Sequence, residues 1–275
     1  MKNLKLLILL FLYAQAFALR KPILLVPFQD NSSLPGIDTG MLMQNALEEN
    51  NFKSKTAKLL GQQNITDVSS QTRTHISSSL LLKKINDADL SFCAYISKQY
   101  ASGYALCGVI KSFSISENLR SEAQIGIYLV NLRKARVEDF MEINDAESMN
   151  ETGFNPAEIY EITPESADFK RTSFGILFAR ITEDITKWIN NRAENLAYEI
   201  FVLESASGEI KLSAGREAGL KQDKVYPVYR LYSENGIEKE IKAGNIQIMS
   251  ADYFSAGACI LSGAEIRPND YIKIE

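Results

Sequence analysis

The chain has 275 residues, of which 45% are hydrophobic, and it carries 30 basic and 34 acidic side chains for a formal net charge of −4. This length and apolar content suffice for a sizeable core and predict a globular protein of about two domains. A net negative chain lacks the basic surface that attracts nucleic acid or anionic lipid, so neither partner is predicted.

The first eighteen residues predict export. Lys2 and Lys5 precede an apolar run over residues 6–12, and the Ala-Phe-Ala of residues 16–18 matches a signal-peptidase site. The run is shorter than the roughly 20 apolar residues of a membrane span, no later segment is long enough to span, and no cysteine follows the site to accept lipid. We therefore predict a periplasmic mature chain that begins at Leu19 and is either soluble or held at the outer membrane by partners.

Strand and helix patterns alternate in the first half of that chain. "KPILLVPF" is typical of a strand buried on both faces. Asp38 can cap a helix whose inward face includes Met41, Leu42 and Leu47. "NNFKSKTAKLL" predicts a weaker second strand, and residues 77–101 predict a helical segment broken near residues 87–89.

Two stronger strand patterns follow. "GYALCGVIKSF" predicts an inner strand, and "EAQIGIYLVNL" alternates as a half-exposed strand does. The order β-α-β-α-β-β predicts an α/β or α+β sandwich.

The segment from Glu138 to Glu165 is acidic and predicts a solvated loop, and "EINDAES" lacks the turn glycine of a calcium-binding loop. After it, apolar residues recur at spacings of three and four, which predicts a long amphipathic helix over a sheet. These residues are Phe174, Leu177, Phe178, Ile181, Ile185, Trp188 and Ile189.

From about residue 197 the pattern changes to short strands separated by turn signals such as Asn235-Gly236. Roughly 75 residues of this kind predict a small β-barrel or sandwich. We therefore predict a boundary near Asn195, with a signal peptide at 1–18, an α/β domain at 19–195 and a β-barrel domain at 196–275.

No constellation of residues for catalysis, cofactor binding or metal binding is predicted. His75 is the only histidine and stands in a polar stretch without a nucleophile motif, and three scattered cysteines with one histidine do not make a zinc site. Cys93 and Cys107 could form one disulfide, or all three cysteines, with Cys259, could be small buried hydrophobes.

The stretch "SAGREAGLKQDKVYPVYRLY" resembles a phosphate-binding loop only superficially, because Leu220 follows its second glycine and a strand pattern follows Lys221. Pro227 removes a ladder donor from that strand, which predicts a sheet edge or a bulge. Edges accept strands from other chains, so Pro227, Tyr229 and Tyr232 are the predicted interaction edge. The alternative is that these tyrosines, and Tyr226 above all, only complete the barrel wall.

Several stretches of the sequence, taken in chain order, resemble a fold that is shared by several periplasmic proteins. "PILLVPFQDNSS", "GYALCGVIKSF", "QIGIYLVNLR" and "TSFGILFARITEDITKWI" are similar to the periplasmic fold of CsgG-type proteins, the N-terminal domain of TolB and the middle domain of the flagellar protein FlgT. "GEIKLSAGREAGLKQDKVYPVYRLY" with "EIRPNDYIKIE" resembles the small β-domain that follows that fold in FlgT-like chains.

The resemblance implies a non-enzymatic periplasmic protein that builds a ring or scaffold around the flagellar basal body near the outer membrane. Its partners would be other flagellar motor or outer-membrane-associated proteins, in a homo- or hetero-oligomeric ring. The resemblance also implies that Gly215 and Gly219 of this chain turn the backbone between two strands. Two alternatives stay open: a CsgG-like envelope-assembly or lipoprotein-partner protein unrelated to flagella, and a small-ligand binding module.

Overall fold

The computed structural model describes residues 20–32, 34, 37–50, 56–61, 76–100, 102–116, 120–148, 169–234, 237–253, 255–263 and 265–274. They belong to two compact units. The helix-and-sheet unit comprises Ile23–Ser54 and Leu59–Asn191, and the barrel unit is built on Arg192–Glu275 with short segments that include residues 20–22 and 56–58. The predicted signal peptide and His75 lie outside the described residues.

The first unit is organised around a mixed sheet with the strand order β3-β1-β4-β5-β6. β1 and the two-residue strand β2 both run parallel to β4, whereas β4, β5 and β6 form a long antiparallel meander. The strands are β1 Lys21–Leu25, β2 Gln29–Asp30, β3 Ala57–Leu60, β4 Tyr104–Ile115, β5 Arg120–Asn131 and β6 Arg136–Ser148.

Helices cover both faces of this sheet. Successive residues of a strand point to opposite faces, so the strands contribute buried side chains to both helix layers. On one face Leu24 and Cys107 pack with Leu81 and Ile96 from α2 and α3 in a single buried cluster. On the other face α4 reaches Phe113, whose ring centroid lies 4.6 Å from that of Phe174. The helices are α1 Thr39–Asn50, α2 Ser78–Asn86, α3 Leu90–Tyr100 and α4 Ser173–Glu194.

The predicted amphipathic helix is confirmed as α4. Phe174, Leu177, Ile181 and Ile185 are fully buried, and burial of each such side chain stabilises the fold by about 1.5–3 kcal/mol. Arg180, on its outer edge, donates to Asp145 at 2.7 Å and to Glu147 at 2.6 Å, and thereby ties α4 to β6.

Two local predictions are wrong. Residues 138–148 of the predicted acidic loop belong to strand β6, which pairs with β5 along its length. Ladder pairing and the Arg180 ion pairs stabilise this strand despite its polar composition. In α1, Leu47 is fully buried, as predicted, but Met41 is 58% exposed, and the buried stripe reaches Leu47 through Thr39 and Met43 at a spacing of four residues.

The second unit is a closed antiparallel barrel with the strand order β10-β11-β8-β7-β12-β9. The predicted mixed helix-and-sheet content and the strand-only C-terminal part are thus both confirmed. The strands are β7 Tyr198–Ala206, β8 Glu209–Leu212, β9 Val225–Glu234, β10 Ile237–Ala251, β11 Ala256–Gly263 and β12 Tyr271–Ile274.

The barrel is filled by one apolar cluster, in which alternate residues of each strand point inward. Its fully buried members include Ile200, Leu212, Val228, Ile246, Ile248 and Ile272. Asp270, directly before β12, has a side chain that is only 3% exposed. Its carboxylate accepts two hydrogen bonds from Arg230, at 2.6 and 2.7 Å. This ion pair joins the start of β12 to β9.

Candidate interaction surfaces

The structure places Pro227 and Tyr229 in the barrel wall and not on a fully open edge. β9 pairs along its length with β10, where Pro227 lies opposite Asn245. On its other side β9 pairs with the four-residue β12 only at Tyr229, opposite Tyr271. This limited ladder explains how a strand inside a closed barrel tolerates a proline, and a register shift in β10 between Lys242 and Gly244 lies nearby.

Tyr229 is half-buried and belongs to an aromatic cluster, which we define as Phe201, Tyr229 and Tyr271. The Tyr271 ring centroid lies 6.1 Å from that of Tyr229 and 6.5 Å from that of Phe201. Lys273 Nζ lies 5.2 Å from the Tyr229 ring centroid and 2.6 Å from a carboxylate oxygen of Glu240, which also accepts a hydrogen bond from the Tyr271 hydroxyl. Phe201, Tyr229 and Tyr271 alternate along their strands with the core residues Ile200, Val228 and Ile272, so the cluster lies on the outer face of the barrel wall and already covers part of Tyr229.

Tyr232 lies farther along β9, in the outer part of the hairpin that β9 forms with β10. We call this part the arm. The arm consists of residues 230–234 of β9 and residues 237–242 of β10, which pair with each other. Among the described residues, β12 pairs with β9 only at Tyr229, and β11 pairs with β10 only from Gly244 onward. The arm is therefore a two-stranded extension of the barrel wall.

One face of the arm presents apolar side chains to solvent. Tyr232 pairs with Lys239, and Ile241 pairs with Arg230, so Tyr232 and Ile241 are diagonal neighbours on the same face. They are 38% and 42% exposed. Tyr232 was predicted as an interaction residue, whereas Ile241 was not, because "GIEKEI" by itself reads only as an ordinary strand.

The glycine-rich loop has a structural role, as the sequence predicts. Gly219 has φ of +78° and ends the short 3₁₀ turn Arg216–Ala218 between β8 and β9, a conformation that favours glycine. A Cβ atom at Gly215 would lie 2.1 Å from the carbonyl oxygen of Asp252. Both glycines therefore allow the chain to turn and to pack closely.

The second surface is the outer edge of β6. β6 is the terminal strand of the sheet, and within the described residues β5 is the only strand that pairs with it. None of its 13 residues is fully buried. Phe140 is 47% exposed, and its ring centroid lies 5.4 Å from that of Tyr128 on β5.

Cys93 and Cys107 are free, buried thiols in the same apolar cluster. Burial raises the pKa of the Cys93 thiol to about 11 and that of Cys107 to about 12, so both are poor nucleophiles at neutral pH. Cys259, in the barrel, is partly exposed. Within the described ranges no group of three or more acidic, histidine or cysteine side chains could hold a metal ion.

In the described part of the chain, no helix combines the length and the apolar character needed to cross a membrane.

No protein-family model matches the sequence, and no curated protein matches it. Solved structures are similar at low identity. The hypothetical protein CT253 from Chlamydia trachomatis is 14% identical, with 63% of this chain and 98% of that chain covered and a TM-score of 0.42. Lipoprotein GNA1162 from Neisseria meningitidis is 11% identical over 62% of this chain and 99% of that one, with a TM-score of 0.37.

A PelC dodecamer from Paraburkholderia phytofirmans is 8% identical over 60% of this chain and 87% of that chain, with a TM-score of 0.35. None of these distant similarities defines a family or a function for this chain. The resemblance to CsgG-type and FlgT-like proteins stays a prediction.

Proposed function

We propose that this protein is a non-enzymatic component of the bacterial envelope that works by assembling with other chains in the periplasm. The specific form that the sequence resemblance implies is a ring or scaffold around the flagellar basal body. The predicted signal peptide supports the periplasmic setting, and the surfaces of the barrel and of β6 support assembly.

The arm is the observation that carries the proposal. Arg230 and Glu240 hold the base of the arm to the barrel through Asp270 and Lys273. Within the described residues no third strand pairs with the arm, and its diagonal neighbours Tyr232 and Ile241 are 38% and 42% exposed. Paired exposed aromatic and aliphatic side chains are typical of contact sites between proteins. Docking of this face against a neighbouring subunit or partner would bury both side chains.

The experiment is deletion of the gene in its natural host, followed by electron cryotomography of the motors and a swimming assay. We expect motors that lack part of their periplasmic scaffold and cells with reduced motility. Intact motors and normal swimming would reject the flagellar form of the proposal. Envelope defects with intact motors would instead favour an assembly protein unrelated to flagella.

Point variants then test the arm. Tyr232→Asp, in protein shown by circular dichroism to remain folded, should reproduce the deletion defect. Gln222→Asp is the matched control, because it adds the same single negative charge and Gln222 is exposed before the start of β9, at the opposite end of that strand from Tyr232. Tyr229→Asp should also lower barrel stability, because Tyr229 packs in the aromatic cluster. Normal motors in the Tyr232 variant would reject the arm as the docking face.

A further inference from the structure

Two sulfur atoms lie side by side on the outer face of the barrel wall. The thiol of Cys259, on β11, donates a hydrogen bond to the thioether of Met249, on β10, with 3.4 Å between Sγ and Sδ. Met249 is 53% exposed and Cys259 is partly exposed. Solvent can therefore reach this pair, unlike the buried thiols of Cys93 and Cys107.

The ladder between β10 and β11 sets the pair in place. Ile248 lies opposite Ala258, and both are buried in the barrel core, so Met249 and Cys259 point outward as diagonal neighbours. The register of β10 shifts between Ile248 and Ser250, and such a bulge re-aims the side chain it contains, here that of Met249. Both sulfurs are thus carried by paired strands and not by a loop, which favours a defined geometry.

The space beside the two sulfurs is open. Gly257 lies on the same outward face, two residues from Cys259 on β11. Among the described residues, a Cβ atom at Gly257 would meet only the hydroxyl of Ser250, at 2.9 Å, within a radius of 4 Å. The missing side chain therefore leaves a path by which a small ion can approach the sulfurs from solvent.

The charges around the pair do not oppose a cation. Cys259 lies opposite Glu209 on β8 and opposite the neutral Gln247 on β10. Lys211, two residues along β8 from Glu209, has its ammonium group 3.5 Å from the carboxylate of Glu204. These positions carry two carboxylates and one ammonium group, so a cation meets no net positive charge from them.

A thiol and a thioether are both soft donors. Cysteine and methionine sulfurs select soft cations such as Cu(I), whereas harder cations prefer oxygen or nitrogen. Because a metal–sulfur bond is about 2.3 Å long, one cation bound to both sulfurs at a trigonal angle needs them about 4.0 Å apart. The observed 3.4 Å is slightly shorter, and rotation of the unbranched, exposed Met249 side chain can supply the difference.

We propose that Met249 and Cys259 bind one soft monovalent cation, Cu(I) or its analogue Ag(I), on the outer wall of the barrel. The S–H bond of Cys259 breaks and its proton goes to solvent. The thiolate and the Met249 thioether then bind the cation through their lone pairs, and no electron is transferred. Two protein ligands leave a further coordination position open, in contrast to closed structural metal sites. The inference uses neither the arm nor β6, so it does not depend on the proposed assembly function.

The test is a Cu(I) titration of the full mature chain, with ascorbate and without oxygen, in competition with a chromogenic Cu(I) chelator. We expect one Cu(I) per chain. Met249→Leu removes the thioether but keeps an apolar side chain of similar volume, and it should weaken Cu(I) binding about tenfold or more. Met41→Leu is the matched control, because Met41 is 58% exposed on α1, and it should leave the affinity unchanged.

Two further measurements identify the ligands. Cys259→Ser keeps both buried thiols and should abolish the site, whereas undiminished binding in this variant would assign the copper to Cys93 or Cys107 and overturn the inference. X-ray absorption at the copper edge should show one sulfur neighbour fewer in Met249→Leu than in the unaltered chain. Equal affinity and equal sulfur count in these two proteins would show that the thiol binds without Met249, which would also overturn the inference.

Discussion

The sheet of the first unit and the barrel of the second solve the problem of unpaired strand edges in different ways. The barrel closes, so that even the strand with Pro227 has neighbours on both sides. The sheet ends, among the described residues, at β6, whose outer edge is long and acidic. Charged side chains on an edge strand discourage pairing with identical strands.

The two units are alike in apolar exposure, because each leaves large apolar side chains in solvent. Closure of the barrel buries one compact cluster, but it leaves the arm with Tyr232 and Ile241 in solvent. The helix-and-sheet unit buries Phe113 and Phe174 but leaves Phe140, on its edge strand β6, 47% exposed. The arm and the edge strand β6 are therefore two separate surfaces with exposed apolar side chains, and they can be tested separately.

The largest expected difference between the two units is in cysteine reactivity. Cys107 is fully buried with its pKa raised to about 12, so its alkylation requires unfolding, whereas Cys259 on the barrel is partly exposed. With iodoacetamide at pH 8, we expect Cys259 to react at least ~10³-fold faster, as followed by mass spectrometry. Resistance of Cys93 and Cys107 even after denaturation without reductant would instead reveal a disulfide between them.

Truncation of Phe174 should destabilise the helix-and-sheet unit most strongly. Its ring packs against Phe113, Phe169 and Phe178, so Phe174→Ala should cost about 3–5 kcal/mol in the free energy of unfolding. Ile176→Ala, at a position 41% exposed on the same helix, is the control and should cost less than about 1 kcal/mol. Fluorescence of Trp188, the only tryptophan, reports urea unfolding of this unit. Equal losses in both variants would contradict the assigned faces of α4.

The barrel has its own expected weak point at Asp270. Asp270→Ala leaves Arg230 without its buried acceptor, and because the Arg230 side chain is 24% exposed, we expect a loss of about 2–3 kcal/mol, below the value for a fully buried pair. Hydrogen exchange should accelerate in peptides from β9 and β12. Glu265→Ala, in an exposed pair with Arg267, is the control. Equal acceleration in peptides from β4 and β5 would show that the predicted boundary near Asn195 does not separate two folding units.

The smallest effect concerns Asp30, the last residue of β2, whose carboxylate accepts hydrogen bonds from Thr39 and Gly40 at the start of α1. Partial burial acts to raise the pKa of Asp30, but hydrogen bonds from Ser32, Thr39 and Gly40 outweigh burial and hold the pKa below its ordinary value of 3.8. A lowered pKa stabilises the folded state fully above the ordinary value, and this contribution is lost as pH falls through the lowered one. Asp30→Asn should cost about 1 kcal/mol at pH 7 and flatten the fall in unfolding free energy below pH 4. An unchanged slope in urea titrations would contradict this role.

Much of the fold follows from local patterns. The stripe of α4, the inner strand β4 and the change to short strands after residue 197 all have strong periodicity, and the structure has each of them. β6 was missed because its composition, from Glu138 to Glu147, is that of a solvated loop. Its pairing with β5 and its ion pairs with Arg180 are long-range contacts that no local pattern encodes.

The interaction residues were predictable only in part. Pro227 predicted an interruption in the hydrogen bonding of its strand. Strand composition does not reveal that β9 pairs with β12 only at Tyr229, where the barrel closes. Tyr232 was found by its position in an aromatic strand, whereas Ile241 becomes relevant only when the hairpin register sets it beside Tyr232. Register depends on the whole ladder and cannot be read from one strand.

Site-specific crosslinking in the natural host tests the central claim of assembly most directly. A photoreactive phenylalanine analogue at position 232, on the arm, is compared with the same analogue at Lys221, exposed before β9. We predict a covalent adduct heavier than the single chain from position 232, containing a second envelope protein or a second copy, and little adduct from position 221. Monomer alone at position 232, in protein that accumulates and folds normally, would contradict the account.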